Sequence, residues 1–162
     1  MSVKKIISGY VYYNHWANQT LTEWLKTLDN NFLTKETRSS FPTIDFTLQH
    51  MKNAQNFWLS ITREIERPDE TIKINLTHEV VHELLDSSQQ MIDVFTAYTE
   101  EELQQPVQSD NMTRNRYEFI LHMINHNSYH RGQIVTMARG FGVVNNIPET
   151  DYEAFLWAKK NS

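Results

Sequence analysis

The sequence predicts an all-α protein, a four-helix bundle closed by a short C-terminal helix. Three observations carry this. Apolar residues recur at steps of three and four in four long segments, the period of a helix with one buried stripe. Only four Gly and four Pro occur in 162 residues, too few for the turns of a many-stranded β fold. The segments are punctuated by cap and stop residues.

The first helix is expected over about Val3 to Leu28, with Ile6, Tyr10, Tyr13, Ala17, Leu21, Trp24 and Leu28 on one side. Asp29-Asn30-Asn31 is its stop, and Phe32 to Phe41 reads as a polar, irregular connector. Pro42-Thr43 opens the second helix, with Thr43 as N-cap. Its main stripe is Ile44, Leu48, Met51, Gln55, Trp58 and Ile61 to Ile65. A neighbouring stripe of Phe46, His50, Ala54 and Phe57 places His50 on an apolar face. Pro68 ends it. A third helix runs from a Thr77 cap to Tyr98, and Thr99 to Asn111 is a polar connector. The fourth starts at Asn115, where Asn115-Arg116-Tyr117-Glu118 has capping-box form, and runs to about Arg139, before Gly140 and Gly142. Ile147 to Trp157 holds the short terminal helix, after Asp151.

Composition narrows the function. A chain of this length fits one domain, residues 1–162. Forty per cent apolar residues argue for a packed core rather than disorder. The net charge of −5 and the lack of a basic block speak against nucleic acid as a partner. No apolar run approaches the length of a membrane span, and no signal peptide is expected. The absence of cysteine excludes a thiol nucleophile, disulfides and thiolate ligands, and fits a cytoplasmic protein. A metal site would be built from His, Asp and Glu.

The fourth helix carries a histidine ladder, His122, His126 and His130. Residues four apart lie about 6 Å along a helix and share a face, so a neighbouring pair can ligate one ion. The outer two are separated by about 12 Å of rise, so His126 pairs with one or the other. A third ligand would have to come from elsewhere. His15 alone reads as a surface or interface residue, and His50 ordinarily as a hydrogen-bonded core histidine. A competing motif is His78-Glu79-Val80-Val81-His82, the H-E-x-x-H pattern in which two histidines bind zinc and the glutamate is a general base. It follows an alternating Ile72, Ile74, Leu76 run, and Glu100 to Glu102 offer a third ligand. It also sits at the first turn of its helix, where Glu79 is favoured by the helix dipole alone.

Three segments read together resemble the DinB family: Tyr13-Asn14-His15-Trp16-Ala17-Asn18, Thr47-Leu48-Gln49-His50-Met51, and Asn125-His126-Asn127-Ser128-Tyr129-His130-Arg131-Gly132-Gln133-Ile134. The tail from Gly140 through Pro148 to Tyr152 is similar too, so the likeness spans nearly the whole chain. The resemblance implies a bundle that departs from simple up-and-down order. It implies a divalent ion, nickel or zinc, held by His50, His126 and His130. His122 becomes a packing or supporting residue. Arg131 and Gln133 match the motif, Arg131 as an ion pair or helix-end contact and Gln133 as a ligand-orienting or packing group. Trp16 and Tyr129 are candidates for the pocket wall. The resemblance further implies a transferase using a low-molecular-weight thiol on a small-molecule substrate in detoxification or stress response, and a homodimer. The alternative is a non-catalytic metal-binding bundle or interaction protein. One variant separates the metal readings. By elemental analysis, His82→Ala should keep the wild-type metal content if the triad holds the ion, and lose it if the H-E-x-x-H segment does.

Overall fold

A computed structural model describes residues 2–68, 77–110 and 112–161. Its elements are α1 (Val3–Leu25), α2 (Asn30–Thr34), α3 (Ile44–Arg63), α4 (Thr77–Ala97), α5 (Glu100–Gln104), β1 (Pro106–Ser109), β2 (Met112–Asn115), α6 (Arg116–Gly140) and α7 (Tyr152–Lys160). The four long helices are those expected. Thr43 caps α3, its Oγ1 accepting from Phe46 N at 3.2 Å, and Asp151 caps α7. Glu118 accepts from Asn115 N at the start of α6. At its other end Gly142 adopts φ +92°, and Val143 N reaches back to Ala138 O at 3.1 Å.

Several boundaries differ from expectation. The first helix ends at Leu25, and Asp29 opens an element rather than closing one, because its carboxylate accepts from Asn31 N and caps α2. α3 stops at Arg63, before Pro68, where Glu64 turns the chain at φ +56°. The connector from Thr99 to Asn111 contains α5, started by a Thr99/Glu102 capping box, and β1, which pairs antiparallel with β2. The Ile72 to Leu76 alternation lies outside the described residues. No helix among the described residues is long and apolar enough to cross a membrane.

α1 packs beside α4 and α6, and α3 packs beside the same two, so α1 and α3 are diagonal although consecutive. Among the described residues two large apolar clusters fill the interior, beside a small third one of Ile61, Val107 and Phe119. The first large one takes Ile7 and Val11 of α1, Leu59 of α3, Phe95 of α4 and Ile120 of α6. The second takes Leu21 of α1, Leu48 of α3, Leu84 of α4 and Ile134 of α6. Reading the numbers along each helix, α1 and α6 run from the first cluster to the second, and α3 and α4 run back. The order is therefore up, down, down, up, as the family resemblance implies.

Between the two large clusters lies a buried polar layer to which all four helices contribute. Arg131, 1 % exposed, donates from Nη1 to Asn14 Oδ1 (3.1 Å) and Asn18 Oδ1 (2.9 Å), and from Nη2 to Tyr13 OH (3.1 Å) and Ser128 Oγ (2.8 Å). The amide nitrogens of Asn14, Asn18 and Asn127 all donate to Gln55 Oε1, at 3.0, 3.1 and 2.8 Å. Gln55 Nε2 then donates to Leu84 O of α4 at 3.1 Å. The Asn14 and Asn18 oxygens face the guanidinium and their nitrogens face Gln55, so each of these two amides has one admissible orientation. Buried polar groups are costly when unpaired, at about 1–3 kcal/mol each. Gln55→Ala strands three amide donors at once. It should destabilise the protein by at least about 3 kcal/mol in urea unfolding, more than the roughly 1 kcal/mol typical of a point mutant.

Candidate metal centre

α6 presents two adjacent pairs, each four residues apart. Asn127 and Arg131 face inward to the polar layer and are buried. His126 and His130, one residue earlier in each case, face the seam with α3, where His50 meets them. The helix register that seats Arg131 in the core therefore also sets where the two imidazoles point.

A ligand nitrogen from each of His50, His126 and His130 lies within 4.8 Å of the other two. His50 Nε2 and His126 Nε2 are 2.8 Å apart, sharing a hydrogen bond. Ring centroids are separated by 5.0 Å (His50–His126), 4.7 Å (His50–His130) and 4.4 Å (His126–His130). Nitrogens bound about 2 Å from one zinc lie roughly 3–4 Å from each other, so the cluster needs little adjustment to hold an ion. Among the described residues no fourth histidine or carboxylate joins it.

His130 shows how one ring is set. Gln133 Nε2 donates to Ser40 Oγ at 2.8 Å, which turns Gln133 Oε1 toward His130 Nδ1 at 2.7 Å. An amide oxygen only accepts, so Nδ1 carries the proton and Nε2 keeps its lone pair. That Nε2 is buried and has no hydrogen-bond partner. An orphaned acceptor aimed at two other imidazoles fits a cation. Gln133 is thus an orienting group. Phe41 stacks on His50 (4.4 Å, 29°) and tilts against His130 (5.7 Å), shielding the cluster on the side of the α2–α3 connection.

The electrostatics favour neutral ligands. Burial, then the neighbouring His130, His50 and His122, push His126 down to about 4. Burial and then His130 lower His50. Burial lowers His130, partly offset by its hydrogen bond to Gln133. All three rings are neutral near neutral pH, so no imidazolium charge opposes an ion; the proton shared by His50 and His126 moves off Nε2 when both ligate.

The remaining candidates fall elsewhere. His122 is exposed, with its ring over His126 (6.0 Å) and edge-on to Trp58 (4.9 Å), and it stands outside the cluster. Tyr129 is exposed and edge-on to His130 at 5.1 Å. Trp16 packs on Phe155 of α7 and lines a groove with Tyr12 and Lys159 that includes none of the three histidines. Arg131 makes neither the ion pair nor the helix-end contact expected of it; its four partners are uncharged, and burial lowers its pKa. His15 Nδ1 contacts Ser88 Oγ at 2.7 Å, between α1 and α4. In the H-E-x-x-H segment Glu79 is exposed and His82 pairs with Asp86 at 2.8 Å; the His78 side chain lies outside what is described. Sequence reasoning missed Ser40, Phe41 and the amides Asn14, Asn18, Gln55 and Asn127. The signal for the amides was their spacing, since Asn14/Asn18 and Asn127/Arg131 each lie four apart on an otherwise apolar face.

Comparison with known proteins agrees with the fold and with the family resemblance. The sequence model of the DinB family matches residues 1–162. The chain is 28 % identical to Protein DinB of Bacillus subtilis (strain 168), covering 91 % of this chain and 92 % of the relative. Among solved structures, a DinB-like protein from Bacillus cereus ATCC 10987 superposes with a TM-score of 0.61 at 18 % identity, over 82 % of this chain and 91 % of that one, a likeness of fold. The chain belongs to the DinB family.

Proposed function

We propose that this protein is a divalent-metal-dependent enzyme whose ion, zinc or nickel, is held by His50, His126 and His130. We further propose that it is a transferase that joins a low-molecular-weight thiol to a small electrophile. The observation that carries the reading is the convergence of three neutral imidazoles with no fourth protein ligand among the described residues. Structural zinc sites are closed by four protein ligands, whereas three leave positions for a substrate. When bound, such an ion supplies Lewis acidity that lowers the pKa of a thiol or water and polarises a carbonyl. The chain's own part is to hold and orient. Gln133 fixes the His130 tautomer, the polar layer fixes the direction of α6, and Phe41 limits water on one side. The chain has no cysteine, so a reacting thiol must arrive as cosubstrate. We propose a cytoplasmic location, with which the lack of cysteine is compatible, and a homodimer, which the exposed Tyr12, Leu156 and Trp157 support.

Zinc titration should show one tight equivalent in the wild type. His50→Ala, His126→Ala and His130→Ala should each lower affinity by roughly 100-fold or more, and Gln133→Ala by about 10- to 100-fold. Zinc-loaded wild type should accelerate thiol conjugation of an electrophile where His126→Ala does not; equal rates would remove the transferase reading. The pH dependence of the metal-free protein has a definite sign. Unfolded imidazoles take up protons near pH 6.5, while folded His126 resists until about pH 4. Between these values the unfolded state binds more protons, so stability should fall as pH drops through that window. Thermal melts from pH 7.5 to 4.5 should show the decline, and His126→Gln should lessen it, the remainder coming from His15, His50 and His130, which burial also lowers.

A further inference from the structure

A cavity of about 400 Å³ lies beside the histidines. Thr37, Arg38 and Ser39 of the α2–α3 connection line one wall, and Tyr129, Gly132 and Gln133 of α6 line the other. Two of these residues touch His130: the Tyr129 ring at 5.1 Å, and Gln133, which accepts from its Nδ1. The cavity and the histidine cluster therefore share a wall. Among the described residues Arg38 is the one charged side chain lining it, and no carboxylate does so. Among the described residues Arg38 has no ion-pair or hydrogen-bond partner. A cation without a partner, facing a cavity in a chain of net charge −5, is set apart from its surroundings.

The loop that carries Arg38 is held at several points. Thr37 N donates to Pro42 O at 2.9 Å, Ser40 Oγ accepts from Gln133 Nε2, and Phe41 stacks on His50. Five consecutive residues thus line the cavity with Thr37, Arg38 and Ser39 while supporting two of the three histidines. A guanidinium fork with hydroxyl donors is the chemistry that recognises a carboxylate, by paired charge-assisted hydrogen bonds. Opposite them, a Cβ added at Gly132 would meet nothing within 4 Å, so the space there is open.

The geometry points to this cavity as the receptor for a carboxylate group of the small-molecule substrate, gripped by Arg38, with the substrate's reacting end directed to His50, His126 and His130. The inference rests on the metal-centre reading for the second half of that statement only. It makes Arg38 a specificity-determining residue.

The test is a titration followed by ¹H–¹⁵N NMR, with succinate, its neutral diamide succinamide, and inorganic phosphate as probes. Metal-free and zinc-loaded protein are both used. Succinate should produce saturable shifts at Ser39, Gly132 and the Gln133 side-chain amide in both forms. Succinamide should bind at least about tenfold more weakly, as should succinate to Arg38→Gln, the loss of one charge-assisted contact. Zinc content should be unchanged in Arg38→Gln, and Gly132→Leu should block succinate by filling the space. Equal succinate binding by wild type and Arg38→Gln, or binding only when zinc is present, would overturn the assignment. Phosphate binding more tightly than succinate through Arg38 would overturn the choice of carboxylate. If zinc fails to bind while succinate still depends on Arg38, the ion site falls and the cavity's role stands; if zinc binds and succinate does not, the reverse holds.

Discussion

The buried guanidinium of Arg131 is the constraint on which the rest of the molecule depends. A charge without a carboxylate partner in a protein interior is tolerated only when its donors are met by well-placed acceptors. Here Asn14, Asn18, Tyr13 and Ser128 meet four of them, and Gln55 gathers the amide nitrogens turned away from the charge. The demand is geometric. It fixes the rotation and height of α6 against α1, and through Gln55 against α3 and α4.

That demand explains why the histidine cluster is ordered. His126 and His130 occupy the positions just before Asn127 and Arg131, so a helix turned to satisfy the core must direct two imidazoles into the α3 seam. α3 is tied to the same layer by Gln55, and His50 lies on it little more than one turn earlier. Large apolar clusters on either side supply the burial that makes misplacing a polar layer expensive. The α2–α3 connection then completes the arrangement from outside, with Ser40 on Gln133 and Phe41 on His50.

Much of this was legible in the sequence, for reasons that differ by residue. The four long helices follow from their apolar period, and Thr43 and Asp151 announce their caps because a short oxygen-bearing side chain before an apolar run has few other uses. The His126/His130 pair follows from helical geometry alone, whereas choosing His130 over His122 and adding His50 required the motif likeness. What stayed hidden depends on contacts between distant segments. Gln55 sits in an apolar stripe and reads as a flaw in it until three amides from two other helices point at its oxygen. Arg131 reads as half of an ion pair, because a pattern cannot show that amides replace the acid. Residues 37–41 read as irregular connector, since stacking on His50 leaves no periodic trace. The hairpin and α5 were obscured by polar composition, although Thr99 and Glu102 carry a capping box.

Everything proposed for the site turns on three imidazoles holding one divalent ion and leaving it open. X-ray absorption spectroscopy of the zinc-loaded protein tests it most directly. The spectrum should show three histidine nitrogens and at least one exchangeable light-atom ligand around the ion, with the histidine count falling in His50→Ala. A closed shell of four protein ligands, or a spectrum that His50→Ala leaves unchanged while His82→Ala alters it, would contradict it.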